Sequence, residues 1–399
     1  MPRILALNPG SNSLKFDLVD ASPDQKIASE GRKLLTGTVD DIGKQTKLIV
    51  QQDGKTIAEQ EGDFKDFSAA TERVVDFFQS HTEIQNWKDL DQAAVRVVHG
   101  GDTFQKAERY TREIREEIER REEQAPLHNA NSLKIIDVLQ RKSPDLPVAV
   151  TFDTAFHHTI PEHAWRYPIA REVADSLGIR KFGFHGLSHR YMLEQYAHLN
   201  NKQPEDISIV TLHLESGSSA CAIQNGKSID TSMGFTPLEG LMMGTRCGSI
   251  DTAILPYLAE KQKISPEDAL KILEKKSGLL GISGVSLDTR ILRKRDDAAS
   301  KLAIQMFGYR VRHFVGAYLA ILGEAEAVVF GGGIGENTPE VRTEVTEGLR
   351  GWGIAIDQKK NEITCAGDTH IHNRYSTLGA WVIHVEEGMQ LAHECVRIS

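Results

Sequence analysis

The chain has 399 residues, 40% hydrophobic and 26% charged, a balance that suits a soluble globular protein of about two domains. No stretch approaches the roughly 20 apolar residues of a membrane span, and "MPRILALNPG" lacks a signal-peptide layout, so a cytoplasmic protein with no membrane partner is expected. The formal charge of -9 argues against nucleic acid as a partner, although an acidic surface can still hold a local basic site for an anion.

In chain order, "ILALNPGSNSLKFDLVD" (4–20) reads as a strand, a tight Gly/Ser turn and a second strand. "RVVHGGDTF" places Arg96 near the end of a short apolar strand, followed by His99 and two glycines. "KAERYTREIREEIERREEQ" (106–124) predicts a charged helix with a solvated face stitched by i,i+4 pairs and stopped by Pro126. "LPVAVTFDTAF" (146–156) predicts a buried strand ending at Asp153.

The segment "SIVTLHLESGSSACAIQNGKSID" (208–230) repeats the plan of the N-terminal hairpin, and Asn225-Gly226 adds a strong hairpin-turn signal. The duplication suggests two related α/β domains facing one another, each offering a phosphate-directed hairpin to a shared cleft. Residues 262–276 and 296–325 read as amphipathic helices. "AEAVVFGGGIGEN" (325–337) reads as a buried strand, a glycine turn and a helix; the tail "WVIHVEEGMQLAHECV" reads as a strand and a helix able to cross back to the first domain.

Small residues in a turn let backbone N–H groups approach an anion. The turn Glu215-Ser216-Gly217-Ser218-Ser219 has this character, yet puts a carboxylate where a phosphate is expected. "GGGIGEN" offers a close backbone approach for nucleotide, but it is neither the dinucleotide fingerprint nor a P-loop. Arg96 and Arg246, each beside glycines, can present a planar fork to a carboxylate or phosphate, or serve as structural ion pairs. His185 and His189 are spaced i,i+4 without the glutamate of HExxH, which favours a hydrogen-bonding histidine over a zinc ligand. Asp153 and the pair Glu386-Glu387 are candidate carboxylates for magnesium. Cys221, Cys247, Cys365 and Cys395 form no CxxC pair, so neither a zinc ribbon nor a disulfide framework is suggested.

Taken in order, "NPGSNSLKF", "RVVHGG", "QAPLHNANSL", "VAVTFDTAFHHTIP", "FGFHGLSHRY", "NGKSIDTSMGFTPLEGLMMGTR", "SGLLGISGVSLD" and "GGGIGEN" resemble the acetate kinase family across nearly the whole chain. The resemblance implies a duplicated ribonuclease-H-like, actin-like α/β fold around a central cleft. Its domains would be 1–150 plus about 384–399, and 151–383, the latter with the nucleotide site. It implies reversible phosphoryl transfer from ATP to acetate, giving acetyl phosphate and ADP, with Mg2+ and as a homodimer.

By resemblance, Arg96 and Arg246 would hold the carboxylate and the transferring phosphoryl group. His185 would stabilise charge on the equatorial oxygens, and Asp153 and Glu387, with Asn8, would organise the magnesium. Asn8, Ser11, Ser13 and Lys15 would line the first phosphate hairpin; His213, Glu215, Ser216 and Gly217 belong to the second, and His128 would add a polar contact. Asp288, Thr289, Arg290 and the turn Gly332, Gly333, Ile334, Gly335, Glu336, Asn337 would surround the nucleotide. Val98, Leu127, Phe184 and Pro237 would meet the methyl end of the substrate. An extra methylene there changes binding by only about 1–3 kcal/mol, so propionate would be a poorer substrate rather than an excluded one.

Where the family has glycine and asparagine, this chain has Glu215 and Ser216; Ser249 and Thr252 replace a usual aspartate and proline. A carboxylate about 4 Å from a phosphate costs on the order of 1–4 kcal/mol. A Cβ at 215 would also strain the backbone if the turn needs positive φ. Three readings stay open: a working acetate kinase with altered donor affinity, a kinase with another donor or acceptor such as propionate, and a catalytically impaired ligand-binding paralogue.

Overall fold

Strands β1 (Arg3–Pro9) and β2 (Leu14–Asp20) pair antiparallel from Arg3↔Asp20 to Pro9↔Leu14, and "RILALNP" is buried on both faces beyond its first residue. A strand covered on both sides needs a continuous apolar run rather than alternation, which "ILAL" supplies. The computed structural model describes residues 1–81, 90–121, 126–362 and 367–398, with side chains at all of these except 81 and 126–128. Two compact units divide the chain: Met1–His158 with Glu386–Ser399, and Thr159–Val385.

In the first unit, β3 (Arg32–Asp40), β4 (Thr46–Gln52) and β5 (Lys55–Gly62) continue the antiparallel meander. On the other side β6 (Gln92–Val97) runs parallel to β1, and β8 (Val148–Phe152) parallel to β6. A short antiparallel strand, β7 (Glu108–Arg109), edges β8. Among the described residues the order is β5-β4-β3-β2-β1-β6-β8-β7. The predicted 106–124 helix is thus shorter, Arg112–Arg120, because Thr111 caps it by accepting from Ile114 N and the preceding residues join the sheet edge. Its predicted i,i+4 pairs form, Arg112–Glu116 and Arg115–Glu119, but Glu117 and Ile118 are buried, so it is not solvated all round.

The helix Glu387–Val396, at the far end of the chain, packs on β1, β2, β6 and β8. Its face Met389, Leu391, Ala392 and Val396 is buried, each large apolar side chain contributing about 1.5–3 kcal/mol. Gly388 is required here: a Cβ would lie 1.8 Å from Asp17 Oδ2, so the first turn of the helix sits directly on β2.

The second unit repeats the plan. β9 (Ile209–Leu214), β10 (Ser218–Gln224) and β11 (Lys227–Thr231) form the antiparallel meander. β12 (Ala327–Gly331) runs parallel to β9, and β14 (Gly379–Val382) parallel to β12 with β13 (Thr369–His370) at its edge. The order among the described residues is β11-β10-β9-β12-β14-β13. Asn225 and Gly226, at φ 49° and 75°, make the two-residue turn between β10 and β11, the geometry that matches strand twist. The amphipathic segments appear as Pro266–Lys275 and Ala298–Leu322. The 25-residue helix Ala298–Leu322 lies against β10 and the helices Gly278–Ser283 and Pro339–Glu347.

Candidate active site

In the first unit one hydrogen-bonded chain links four of the expected residues. Arg96, near the end of β6, forms a two-pronged ion pair with Asp153, just past the end of β8: Nε donates to Oδ1 at 2.9 Å and Nη2 to Oδ2. Its Nη1 donates to Asn8 Oδ1 at 2.7 Å, and Asn8 Nδ2 donates to Glu387 Oε2 at 2.7 Å. These positions are neighbours because β1, β6 and β8 are parallel, so their C-terminal ends fall at one edge of the sheet. That edge is where ligands bind in open α/β sheets. The terminal helix brings in Glu387, while Lys33 holds the adjacent Glu386.

The turn after β1 is closed by Gly10 N donating to Ser13 O at 2.7 Å, with Ser11 exposed and Lys15 opposite Asn8 in register. Val98 is buried. The side chains of Leu127 and His128 lie outside the described residues, as do residues 122–125 of the charged segment and Cys365. His99 is buried, and its Nδ1 accepts from Gly101 N at 3.0 Å. Burial, reinforced by Arg121, pushes its imidazole down to about 3, so it is neutral near neutral pH.

The second unit gathers another group at the ends of β9 and β10. His185 precedes the helix Gly186–Leu199 with a left-handed φ of 58°, an uncommon backbone state outside glycine and one that clusters at functional sites. Its Nδ1 lies 2.8 Å from Ser219 Oγ, which also lies 2.8 Å from His189 Nε2; His189 Nδ1 in turn lies 2.8 Å from Thr211 Oγ1. One hydroxyl can donate to one imidazole and accept from the other, so the series Thr211–His189–Ser219 fixes the tautomer and tilt of His185. A Cβ on Gly217 would meet His185 Nε2 and Arg246 Nη1, each at 3.4 Å, so glycine leaves this edge of the hairpin open to both.

Arg246 Nη1 donates to Pro237 O at 3.3 Å, and no described carboxylate of its own unit stands within ion-pair distance. Burial pushes its guanidinium below the usual value, though arginine stays charged. A half-buried cation in this condition is a ready anion site. Phe184, beside His185, is buried.

The turn between Leu214 and Ser218 is held by Glu215 N donating to Gly217 O at 3.1 Å and by Gly244 N donating to Ser216 O at 3.0 Å. Glu215 is not among the described non-glycine residues with positive φ, so the expected backbone strain is absent. His213 lies 4.4 Å from the His185 ring, centroid to centroid, and its Nε2 is 3.6 Å from Glu215 Oε2. Ser249, at the second departure, accepts from Gly240 N at 3.0 Å through its hydroxyl.

"GGGIGEN" forms the end of β12 and a short helix, Gly332–Asn337. Gly332, at φ 74°, has the backbone of Leu214 2.8 Å from where a Cβ would sit, which ties this turn to the second hairpin. Within it Glu336 is already engaged: its Oε1 accepts from Gly332 N and Val385 N, and its Oε2 lies 2.6 Å from His384 Nδ1. Asn337 Nδ2 donates to Gly333 O at 3.0 Å. Asp288 caps the helix Thr289–Leu292 and pairs with the exposed Arg290, which holds its carboxyl below the usual range. Arg342, fully buried and absent from the expectations, donates to Gly335 O at 2.6 Å and Glu336 O at 2.9 Å, fixing the far end of the glycine turn.

The six strands β3-β2-β1-β6-β8-β7 of the first sheet repeat the order of the second, β11-β10-β9-β12-β14-β13, and this duplicated sheet, with an arginine and a hairpin turn in each unit, fits the actin-like phosphotransferase class. A model of the acetokinase family matches residues 3–393, and the chain belongs to that family, phosphotransferases with a carboxyl group as acceptor. It is 39% identical over 402 residues to an acetate kinase of Thermoanaerobacterium thermosaccharolyticum, across 99% of this chain and 98% of that one. The crystal structure of Porphyromonas gingivalis acetate kinase superposes with a TM-score of 0.91 at 32% identity, covering 100% of both chains. A propionate kinase from Francisella tularensis superposes with a TM-score of 0.90 at 35% identity, covering 99% of each chain.

Proposed function

We propose that the chain is an acetate kinase, moving the γ-phosphoryl group of ATP to a carboxylate oxygen of acetate and back. The observation that carries this reading is Arg246: a half-buried cation beside His185, with Gly217 leaving both accessible. Such transfer needs charge neutralisation and positioning more than covalent help. Arg246 and His185 Nε2 would bind the equatorial oxygens of the transferring group, with the His189–Ser219 series holding the imidazole in place. Arg96, held by Asp153 and Asn8, would take part in binding the carboxylate. In the second unit Phe184 and Pro237 would offer apolar surface to the methyl end of the substrate.

Magnesium fits the donor set of the first unit. Asn8, Glu387 and Asp153 offer hard oxygens, and Mg2+ commonly takes one or two carboxylates with the rest from phosphates and water. Among the described residues, no group of three or more His, Cys, Asp or Glu is arranged for a metal. When bound, the ion would neutralise phosphate charge. The family is consistent with a homodimer, and no helix among the described residues is long and apolar enough to cross a membrane.

Purified protein given ATP, magnesium and acetate, with hydroxylamine as trap, should yield acetyl hydroxamate. Propionate should react more slowly and butyrate least; absence of acyl phosphate from every acceptor would refute the assignment. A preference for propionate would favour the second reading, which the likeness to the Francisella propionate kinase supports.

A further inference from the structure

The turn between β9 and β10 carries a carboxylate between two features already assigned to the reaction. On one side His213 lies 4.4 Å from His185, ring to ring and tilted at 45°, and Gly217 lies against His185 and Arg246. On the other, a Cβ on Gly333 would lie 3.9 Å from Glu215 Oε1. The side chain thus lies between His213, whose Nε2 is 3.6 Å from Oε2, and the glycine turn. Its backbone cannot carry it away cheaply. Besides the two bonds described above, Glu215 N donates to Ser218 Oγ at 3.3 Å and Ser218 Oγ donates back to Glu215 O at 2.9 Å. The carboxylate is itself half-exposed, at 44% of its side-chain surface, and so faces whatever enters the turn.

We propose that Glu215 is a specificity-determining residue on the donor side, its charge opposing the phosphates that reach the second hairpin. This rests on the reading of Gly332–Asn337 and the second hairpin as the nucleotide and phosphate sites. The penalty grows with the donor's phosphate charge at the turn: small for AMP, larger for ADP and ATP. Because the carboxylate is half-exposed, salt screens the effect. The contact with acetate is untouched, so Glu215 raises the donor KM without changing the acceptor KM.

The test is calorimetric binding of AMP, ADP and MgATP to the wild type and to Glu215→Gln, with Glu215→Ala as a second variant that removes charge and length together. Loss of one charge near a phosphate should tighten ADP and MgATP by about tenfold, leave AMP unchanged, and lose most of its benefit in high salt. Glu215→Ala should match Glu215→Gln, and the KM for acetate should stay at the wild-type value. Unchanged or weaker ADP and MgATP binding in both variants overturns the proposal, as does an equal gain for all three nucleotides. If the wild type makes acyl phosphate while the variants bind nucleotide as it does, only this inference fails. If neither protein binds any nucleotide or makes acyl phosphate, the underlying assignment fails with it.

Discussion

Arg96 in the first unit and Arg246 in the second are treated in opposite ways by sheets that share a six-strand core order. Arg96 is bound on both prongs by Asp153, which is itself buried, and is steadied by Asn8. Arg246 donates to the carbonyl oxygen of Pro237 and forms no ion pair with a described carboxylate of its unit, Glu274 acting on it only at longer range. Repetition of a fold therefore repeats the edge where a cation can stand, but not how its charge is balanced. A paired arginine is part of the scaffold; one without an ion-pair partner in its unit leaves donors for other acceptors.

Breaking that contrast should give unequal results. Arg96→Met strands the buried Asp153 carboxylate and should lower the free energy of unfolding by about 3–5 kcal/mol, read from the urea transition followed by circular dichroism. A loss near zero would show that Asp153 finds another partner and that the pair is not structural. Arg246→Met should leave the same transition where it is or move it slightly upward, since a desolvated cation is removed. Its cost should fall on turnover, about 100- to 1,000-fold in kcat. A destabilised Arg246→Met protein would contradict the distinction between the two.

A smaller effect separates the units by pH. His99, in the first, titrates near 3 when folded against 6.5 when free, so the unfolded chain takes up its proton first. Stability is then unaffected by His99 above about pH 6.5 and falls as the solution is acidified toward pH 3. Between pH 7 and pH 5 the loss should be about 2 kcal/mol, and His99→Gln should remove that part of the slope in urea titrations at the two pH values. A slope identical in both proteins would mean that His99 is not held neutral.

The parts of this fold legible in the sequence were those with a local chemical cause. Continuous apolar runs marked β1, β8, β9 and β12, and Asn225-Gly226 marked a turn that needs two positive φ values. The outer meander was missed. β5 is exposed along most of its length, so no alternation announces it. Asp53-Gly54 nonetheless forms the same kind of turn, at φ 50° and 74°, between β4 and β5 and was the available signal. At the site, Arg96, His185 and Arg246 could be picked out by type and neighbouring glycines, and Asp153 by its place at the end of a buried strand. His189 and Ser219 could be noted for their spacing and turn, but their linkage could not, and neither could Thr211 or Arg342, because these contacts arise only when distant strands and helices meet. The strain expected at Glu215 came from reading a sequence position as a dihedral angle, which only the folded turn decides.

The helix Glu387–Val396 covers the first sheet although 227 residues of the second unit, Thr159–Val385, are synthesised before it. A nascent first unit therefore emerges with one face of β1, β2, β6 and β8 uncapped, and remains so until the second unit has left the ribosome. Domains usually fold in order as they appear; here the first to begin is the last to finish. Glu387, the carboxylate that meets Asn8, arrives with that closing helix, so the hydrogen-bonded series from Asp153 through Arg96 and Asn8 is completed only after the second unit has been made.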